Sequence, residues 1–320
     1  MLNPKNYLKI LFTILLFIGC LAAGYVYDFT EDYPPPITNR ISFDAKLKFI
    51  RDTIDPDTID TIIVGSSIGM NNILGSVLEK SSTHVKHALN LSVYEATTLQ
   101  VEQILELSDA FPNLERIIYS AQYSDFPHAR RYDNYNPTLL KHFIRNELSP
   151  LALSKLLFNS CNNLLFCQQR EKTWEKKHTQ SNKFTYLGFD HTGSVPLKIY
   201  KKKGVGGRWY LPHPGIMHNE SFNAVARMAQ KAQEKGIKYY VAHQPYRTPL
   251  VKKHKGVHDA LKYFDDRIDS IMKKYDGTLI RLQNLHLNDD YHADRSHLND
   301  KGATLVSQEI GKIIDLTEKK

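Results

Sequence analysis

The chain has 320 residues, of which 42% are hydrophobic and 24% charged, a balance typical of globular proteins. That composition argues against wholesale disorder, and the length is enough for one large domain or two small ones. Lysine and arginine outnumber aspartate and glutamate by 42 to 34, giving a net charge of +8. This charge favours an anionic membrane surface or an acidic glycan as partner. Nucleic acid is not favoured, because no basic motif with interleaved aromatic residues and no zinc-finger spacing accompanies the charge.

Residues 1–28 predict a membrane anchor. Lys5 and Lys9 precede 18 uncharged and mostly apolar residues that end at Tyr27, and acidic residues follow. This length is close to the roughly 20 residues that span a bilayer, and the lysines place the N-terminus in the cytoplasm. A cleaved signal peptide and a lipidated Cys20 are the alternatives, although the residues after Cys20 stay apolar. In each case the globular body leaves the cytoplasm, for the periplasm or the cell exterior.

The rest of the chain divides into a linker and one domain. Residues 29–57 are predicted to be a linker, because the proline-rich DYPPPITNR cannot be helical and would hold the domain off the membrane. Residues 58–320 are predicted to form an α/β domain. Within it, residues 125–215 break the alternation of strands and helices, which predicts an insertion that forms a lid, an accessory subdomain or a surface for a partner.

Five predicted strands alternate with helices outside that insertion. The strands are expected at 60–64, 84–92, 114–122, 237–245 and 278–283, and the helices at 68–80, 95–111, 221–236, 258–277 and 301–317. This alternation is typical of a parallel sheet covered by helices on both faces. The predicted fold class is therefore α/β with a five-stranded parallel sheet.

Polar residues follow each predicted strand, at the edge of the sheet where sites form in open α/β folds. In strand order they are Ser67 in the turn GSS, Asn90, Gln122, His243, and the pair Asp294 and His297 in HADRSHLNDKGA. Each signal is weak alone, since a serine caps helices and Asn299 or Asp300 could cap the last helix. A serine and an Asp–His pair at the first and last strand ends of one sheet together predict a hydrolytic triad.

These motifs resemble those of the SGNH or GDSL-type hydrolases. Gly65-Ser66-Ser67 matches the Gly-Asp-Ser block of that family, with serine for aspartate, and DRSHLNDKGA matches its Asp-x-x-His block. The resemblance implies a flavodoxin-like three-layer fold, with Ser67 as nucleophile, His297 as base and Asp294 as its partner. It covers about residues 58–125 and 220–316. With the anchor, it points to the cell-envelope branch, which includes the D-alanyl-transfer protein of lipoteichoic acid synthesis and the alginate O-acetylation proteins.

The resemblance also implies an oxyanion hole. Its donors would be the backbone N–H groups of Ser67 and Glu95, at a position where the family has glycine, and the side chain of Gln122, where the family has asparagine. Removal of one such donor costs about 3 kcal/mol in a comparable enzyme. Asn90 and His243 are the expected substrate-binding residues.

The expected activity is that of a serine acyl esterase or O-acyltransferase that modifies a cell-envelope polysaccharide, without a cofactor. The resemblance adds a multi-spanning membrane acyltransferase as a partner. Two alternatives remain open. The changes at Glu95 and Gln122 would suit a catalytically silent binding or assembly component of a polysaccharide modification or export complex. A metal site from His292, Asp294 and His297 is disfavoured, because no His-x-x-x-His pair or fourth ligand accompanies it.

The three cysteines do not form a disulfide framework. Cys161 and Cys167 could pair in an oxidising compartment. If the segment between them is helical, however, their Cα atoms lie about 9 Å apart, which is too far for a bridge. The expectation is that both are buried free thiols.

Overall fold

The structure is a computed structural model that describes residues 4–31, 33–38, 40–133, 135–160, 164–179, 185–200 and 214–319. Its strands are β1 (Thr61–Gly65), β2 (Ala88–Asn90), β3 (Arg116–Ala121), β4 (Lys238–His243) and β5 (Thr278–Arg281). Its helices are α1 (Pro4–Glu31), α2 (Ile41–Thr53), α3 (Ser67–Asn72), α4 (Gly75–Ser81), α5 (Thr98–Leu105), α6 (Pro137–Ile144), α7 (Pro150–Ser160), α8 (Leu164–Thr179), α9 (Asn219–Glu234), α10 (Thr248–Lys253), α11 (Lys255–Lys274) and α12 (Asp300–Glu318). Short 3₁₀ helices cover Glu106–Ala110, Tyr123–Asp125, Pro214–Ile216, Leu282–Leu285 and Asp289–Tyr291.

The five strands form one parallel sheet in the order β2-β1-β3-β4-β5. The predicted fold class, α/β with a five-stranded parallel sheet, is confirmed. This is the flavodoxin-like order, in which the chain winds outward in one direction from β1 to β2 and in the other from β3 onward. The crevice beyond the carboxyl ends of β1 and β3 is where such sheets place their sites.

Helices cover both faces of the sheet because side chains alternate along each strand. In β1, Ile62 and Val64 join a core with α2, α5, α9 and α11, while Ile63 joins a second core with α4 and α12. All three side chains are fully buried. The result is a sheet between two helical layers, with its carboxyl edge left for the loops.

The predicted helix at 68–80 is two helices in the structure. Helix α3 ends at Asn72, and α4 begins at Gly75. Between them, the N–H of Leu74 donates to Ser307 Oγ at 2.8 Å, so α12 satisfies a backbone group that a continuous helix would have used internally. The first helix is thereby short, with the predicted nucleophile at its first residue.

The predicted linker at 29–57 differs from the structure. Residues 41–53 form α2, and its Phe43, Leu47 and Ile50 are fully buried in the main core. The proline run is not helical, as expected, but it is buried rather than an exposed spacer. The spacing of the three apolar residues is that of an amphipathic helix. It predicts a helix here although a proline run precedes it.

The insertion predicted at 125–215 contains α6, α7, α8 and a loop segment, residues 185–200, that includes turns. That segment packs against the carboxyl edge of the sheet, where Thr192 O accepts from Asn90 N at 2.7 Å and Met70 O accepts from Val195 N at 3.0 Å. The insertion therefore forms one wall of the crevice. Its residues 161–163, 180–184 and 201–213 lie outside the described residues.

Helix α1 contains one window, Pro4–Leu21, that is long and apolar enough to cross a membrane by length and composition. A signal sequence passes the same test. None of this window is buried against the rest of the protein, which distinguishes it from a core helix.

The expectation of free thiols at Cys161 and Cys167 is wrong for Cys167, which is disulfide-bonded. Cys161 lies outside the described residues, and Cys20 is an exposed free thiol. The distance of about 9 Å assumes one continuous helix through both positions, and residues 161–163, between α7 and α8, lie outside the described residues.

Candidate active site

Ser67 is the first residue of α3, directly after β1. Ser66 is the N-cap, and its side chain accepts a hydrogen bond from the N–H of Ile68. Gly65 makes the turn tight, because a Cβ there would lie 2.9 Å from the carbonyl oxygen of Ser120. The turn thus brings the Ser67 side chain, which is half-buried, to the crevice at the sheet edge.

Three of the predicted residues meet in one hydrogen-bonded chain. Ser67 Oγ lies 2.9 Å from His297 Nε2, and His297 Nδ1 lies 2.8 Å from Asp294 Oδ2. The other carboxylate oxygen of Asp294 accepts from the backbone N–H groups of Ser296 and His297, both at 2.8 Å. These bonds fix the carboxylate against the loop and the imidazole against the carboxylate.

Asp294 is held in its ionised form. Burial alone would raise the pKa of its carboxyl group, but the hydrogen bond and charge of His297 and the two backbone N–H donors outweigh burial. The pKa therefore lies well below its usual range. An ionised carboxylate next to Nδ1 favours the tautomer with a proton on Nδ1, which leaves the lone pair of Nε2 facing Ser67.

The loop that carries His297 is tied to its surroundings at three places. Asn72 Oδ1, at the end of α3, accepts from the N–H of Leu298 at 2.8 Å. His292 and Leu298 form an antiparallel bridge across the loop. Asn299 caps α12 by accepting from the N–H of Gly302 at 3.1 Å, as one of the two expected caps. Ser67 and His297 are therefore positioned by opposite ends of one short helix.

The first turn of α12 is packed directly under this loop. A Cβ at Gly302 would lie 2.4 Å from the carbonyl oxygen of Tyr291, so only glycine allows the contact. The glycine in the sequence HLNDKGA therefore has a local packing role beside the predicted site.

Glu95, the predicted second oxyanion residue, has a φ of 60°. This left-handed conformation is usual for glycine and costs a glutamate about 1 kcal/mol or more. Glycine would adopt this conformation without that strain. Glu95 and Ser67 line the same cleft.

Gln122, the predicted third donor, is buried at the end of β3. Its Oε1 accepts from Ser124 Oγ at 3.0 Å. Its role as an oxyanion donor stays a prediction. Asn71, which the sequence analysis missed, lines the cleft one helical turn after Ser67, and its Nδ2 donates to Val195 O at 2.8 Å. Only its spacing of four residues from Ser67 on a helix could have identified it.

Asn90 does not face the cleft as a substrate-binding residue would. It is fully buried, and its Nδ2 lies 3.0 Å from the carbonyl oxygens of both Gly69 and Ile73. The prediction is corrected because these acceptors saturate the amide and hold α3 on the sheet.

His243 is also buried, and its Nδ1 lies 2.7 Å from Asp265 Oδ1. Its ring centroid is 4.5 Å from that of Phe264, inside the core rather than in the cleft. The predicted substrate-binding role is therefore corrected to a core position at the end of β4. Of the predicted site residues, Ser67, Glu95, Asp294 and His297 line the cleft, whereas Asn90, Gln122 and His243 are not among its lining residues.

The geometry gives little support to a metal site at His292, Asp294 and His297, as far as the structure describes the chain. There, no group of three histidine, cysteine or acidic residues is arranged to hold an ion. His292 is buried, its Nδ1 lies 3.0 Å from Asn288 O, and burial lowers its pKa.

Asp125 is a second carboxylate at the nucleophile turn. Its Oδ2 accepts from Ser66 Oγ at 3.0 Å. Burial raises its pKa to about 7, although hydrogen bonds from Ser66 and Ser124 act in the opposite direction. The carboxylate thus fastens the residue before Ser67 to the end of β3.

Replacement of Asp125 by asparagine should flatten the pH dependence of stability. The pKa of the folded state, about 7, exceeds the unfolded value of about 3.9. Protonated Asp125 therefore contributes its full share to the free energy of unfolding below about pH 4. This contribution is lost as the pH rises through about 7. We expect the Tm of the wild type to fall more than that of Asp125→Asn between about pH 5 and 8, measured by differential scanning fluorimetry. Asp133→Asn, at an exposed aspartate, serves as control, and parallel curves for all three proteins would contradict the prediction.

No protein-family model matches the chain, and a search of the curated proteins finds no match either.

Proposed function

We propose that the protein is a membrane-anchored serine acyl esterase or O-acyltransferase that acts on a cell-envelope polysaccharide through an acyl-serine intermediate. One observation supports this above all. A hydrogen-bonded chain runs from Ser67 Oγ through both ring nitrogens of His297 to an ionised Asp294. It opens on a cleft of about 810 Å³, a volume within the range of small-ligand sites.

In the first half of the reaction, Ser67 Oγ attacks the carbonyl carbon of an ester while His297 Nε2 accepts the hydroxyl proton. The bond from that carbon to the leaving alcohol breaks, and the imidazolium gives its proton to the alcohol oxygen. Asp294 stabilises the imidazolium without taking its proton. The products of this half are a free hydroxyl on the leaving group and an ester on Ser67.

In the second half, water or a sugar hydroxyl attacks the acyl-serine. His297 accepts the proton of the attacking oxygen and returns it to Ser67 Oγ as the acyl–serine bond breaks. Water yields a free acid, and a sugar hydroxyl yields a new ester. The backbone N–H groups of Ser67 and Glu95 are the proposed donors to the oxyanion in both halves.

The proposed location is outside the cytoplasm. Helix α1 is the membrane span, with Lys5 and Lys9 on the cytoplasmic side and the cleft on the other. A multi-spanning membrane acyltransferase is the proposed donor of acyl groups where transfer, rather than hydrolysis, is the physiological reaction.

A catalytically silent binding component is the second candidate. The observation that favours it is Gln122, which is buried and is not among the residues that line the cleft. Without Gln122, an oxyanion would have only the two backbone N–H donors of Ser67 and Glu95.

Trapping of the intermediate tests the proposal. Full-length protein in detergent is incubated with p-nitrophenyl acetate, quenched in acid and digested, and the peptide that contains Ser67 is examined by mass spectrometry. We expect the mass of one acetyl group on Ser67 and release of p-nitrophenol. Addition of an acceptor saccharide distinguishes transfer from hydrolysis. No acetylated Ser67 and no p-nitrophenol above the His297→Asn background would favour the silent component.

A further inference from the structure

The chain that leaves α1 is held against the α/β domain almost at once. Helix α1 ends at Glu31, and Tyr33 is only 3% exposed. The Tyr33 side chain packs in one cluster with Cys167 and Trp174 of α8, and its ring centroid lies 6.3 Å from that of Trp174. Residues 34–36 are buried as well. The segment after α1 is therefore fixed on α8 from Tyr33 onward.

This attachment sets the height of α8 above a membrane. With α1 as the proposed span, the apolar stretch of the sequence ends at Tyr27. Four residues of helical rise to Glu31 and two further residues put the Cα atom of Tyr33 at most about 13 Å from that point. The headgroup region occupies roughly 5–8 Å on each side of a bilayer. The part of α8 that packs on Tyr33 therefore lies at the membrane surface.

The first turn of α8 is apolar and exposed. Leu165 is 78% exposed and Phe166 is 46% exposed, directly before the buried Cys167. Residues 161–169 contain no charged side chain. Adjacent large apolar residues that stay exposed are typical of a contact with a membrane or a protein, and interfacial helices bury leucine and phenylalanine in the bilayer. Among the described residues, nothing covers this turn.

The same turn borders the cleft in front of Ser67. Phe166 lines this cleft together with Ser67 and His297, and one side of α8 forms a wall of it. The cleft lies at the carboxyl edge of the sheet, so the first turn of α8 belongs to that edge too. A bilayer in contact with Leu165 and Phe166 would therefore lie beside the opening of the cleft.

A basic segment lies at the same edge of the sheet. Helix α10 begins shortly after β4 ends, and residues 248–262, from α10 into α11, contain four lysines and one acidic residue, Asp259. Lys252, Lys253 and Lys255 are exposed, and within the described ranges none of the three pairs with an acidic side chain. Anionic headgroups attract lysines that lie near the membrane surface. A membrane at this edge would thus meet apolar side chains at α8 and cations at α10 and α11.

We propose that the first turn of α8 inserts Leu165 and Phe166 into the interface of the bilayer that holds α1. The lysines of residues 248–262 then lie on the headgroups, and the cleft opens toward the membrane. The partner of this surface is the lipid bilayer itself. The inference rests on the membrane location within the proposed function and does not depend on acyl transfer.

Electron paramagnetic resonance measures the depth of a chosen position in full-length protein. The protein is placed in nanodiscs made of equal parts of phosphatidylcholine and phosphatidylglycerol. Cys20, an exposed free thiol, is changed to serine, and one nitroxide is attached at Leu165→Cys. Collisions of the nitroxide with oxygen, which concentrates in lipid, are compared with collisions with a neutral nickel chelate, which stays in water. We expect the ratio of oxygen to nickel collisions at position 165 to be several-fold higher than at position 316.

Leu316→Cys is the matched control, because Leu316 is also an exposed leucine on a helix. It lies at the opposite edge of the sheet, since α12 ends where Glu318 bonds with Arg116, the first residue of β3. A label there should collide mainly with the nickel chelate. A lipid with chelated nickel on its headgroup should relax a label at Lys253→Cys and leave the label at position 316 unchanged. Circular dichroism verifies the fold of each variant.

A label at position 165 that meets the nickel chelate as often as the label at position 316 would overturn the inference. Protection of position 165 from both reagents would also overturn it, because protein rather than lipid would then cover α8. A label at Lys253→Cys that lipid-bound nickel does not relax would overturn the contact of the lysines. Insertion of position 165 without acyl-serine at Ser67 supports the membrane surface while the activity fails, and acyl-serine with position 165 in water gives the reverse.

Discussion

Replacement of Ser67 by alanine is expected to abolish esterase activity and covalent labelling by a fluorophosphonate. Loss of the nucleophile removes the only hydroxyl that His297 Nε2 contacts at 2.9 Å among the described residues. In a comparable triad enzyme this change lowers kcat by about 10⁶-fold. The measurement is hydrolysis of p-nitrophenyl acetate, together with in-gel fluorescence after labelling of full-length protein in detergent.

Ser66→Ala is the matched control, since Ser66 is the adjacent hydroxyl in the same turn. Its side chain contacts Asp125 rather than His297. This variant should still be labelled, although more slowly, because the cap of α3 is lost. Equal labelling of wild type and Ser67→Ala, or loss of labelling only in Ser66→Ala, would exclude Ser67 as the nucleophile.

Asp294→Asn is expected to lower kcat by about 10⁴-fold while the protein stays folded. An amide in place of the carboxylate can donate to Nδ1, which favours the tautomer with its proton on Nε2, facing Ser67. Such an imidazole cannot accept the serine proton. Steady-state kinetics with p-nitrophenyl acetate give kcat, and circular dichroism verifies the fold.

A pH series adds a second readout for Asp294. Since its pKa is lowered in the folded state, its contribution to stability is present above the unfolded value of about 3.9 and is lost as the pH falls through the folded value. The difference in Tm between wild type and Asp294→Asn should therefore be constant above about pH 5 and shrink below about pH 4. Asp290→Asn, at an exposed aspartate of the same loop, should change neither kcat nor this pH dependence. Similar kcat values for Asp290→Asn and Asp294→Asn would contradict the assigned role.

The sheet and the two ends of the site could be predicted from the sequence because they depend on local signals. Buried strands appear as short β-branched runs, and the residue after each strand lies at the sheet edge whatever its neighbours are. That rule places Ser67 at the sheet edge, and its contact with His297 depends in addition on Asn72, which holds the loop of His297. The cap at Asn299 and the glycine at 302 are equally local.

The wall of the cleft that α8 forms could not be predicted in this way. Arg170 belongs to an insertion with no strand pattern, and its pairing with Asp44 joins positions 126 residues apart. The environment of the Asn90 and His243 side chains could not be predicted either. A polar residue at a strand end can face the crevice or a buried hydrogen-bond partner. Helix α2 is different, since the spacing of Phe43, Leu47 and Ile50 carried a signal that the preceding prolines obscured.

The positions of Ser67 and His297 both depend on α3, and this has a consequence for biosynthesis. Ser67 is the first residue of that helix, and Asn72 at its end holds the loop of His297. His297 follows Ser67 by 230 positions in the chain. A nascent chain therefore exposes the serine long before the histidine that would activate it has been made. Under the proposed function, the chain is inert until α12 docks, because the hydrogen-bonded chain from Ser67 through His297 to Asp294 forms only then.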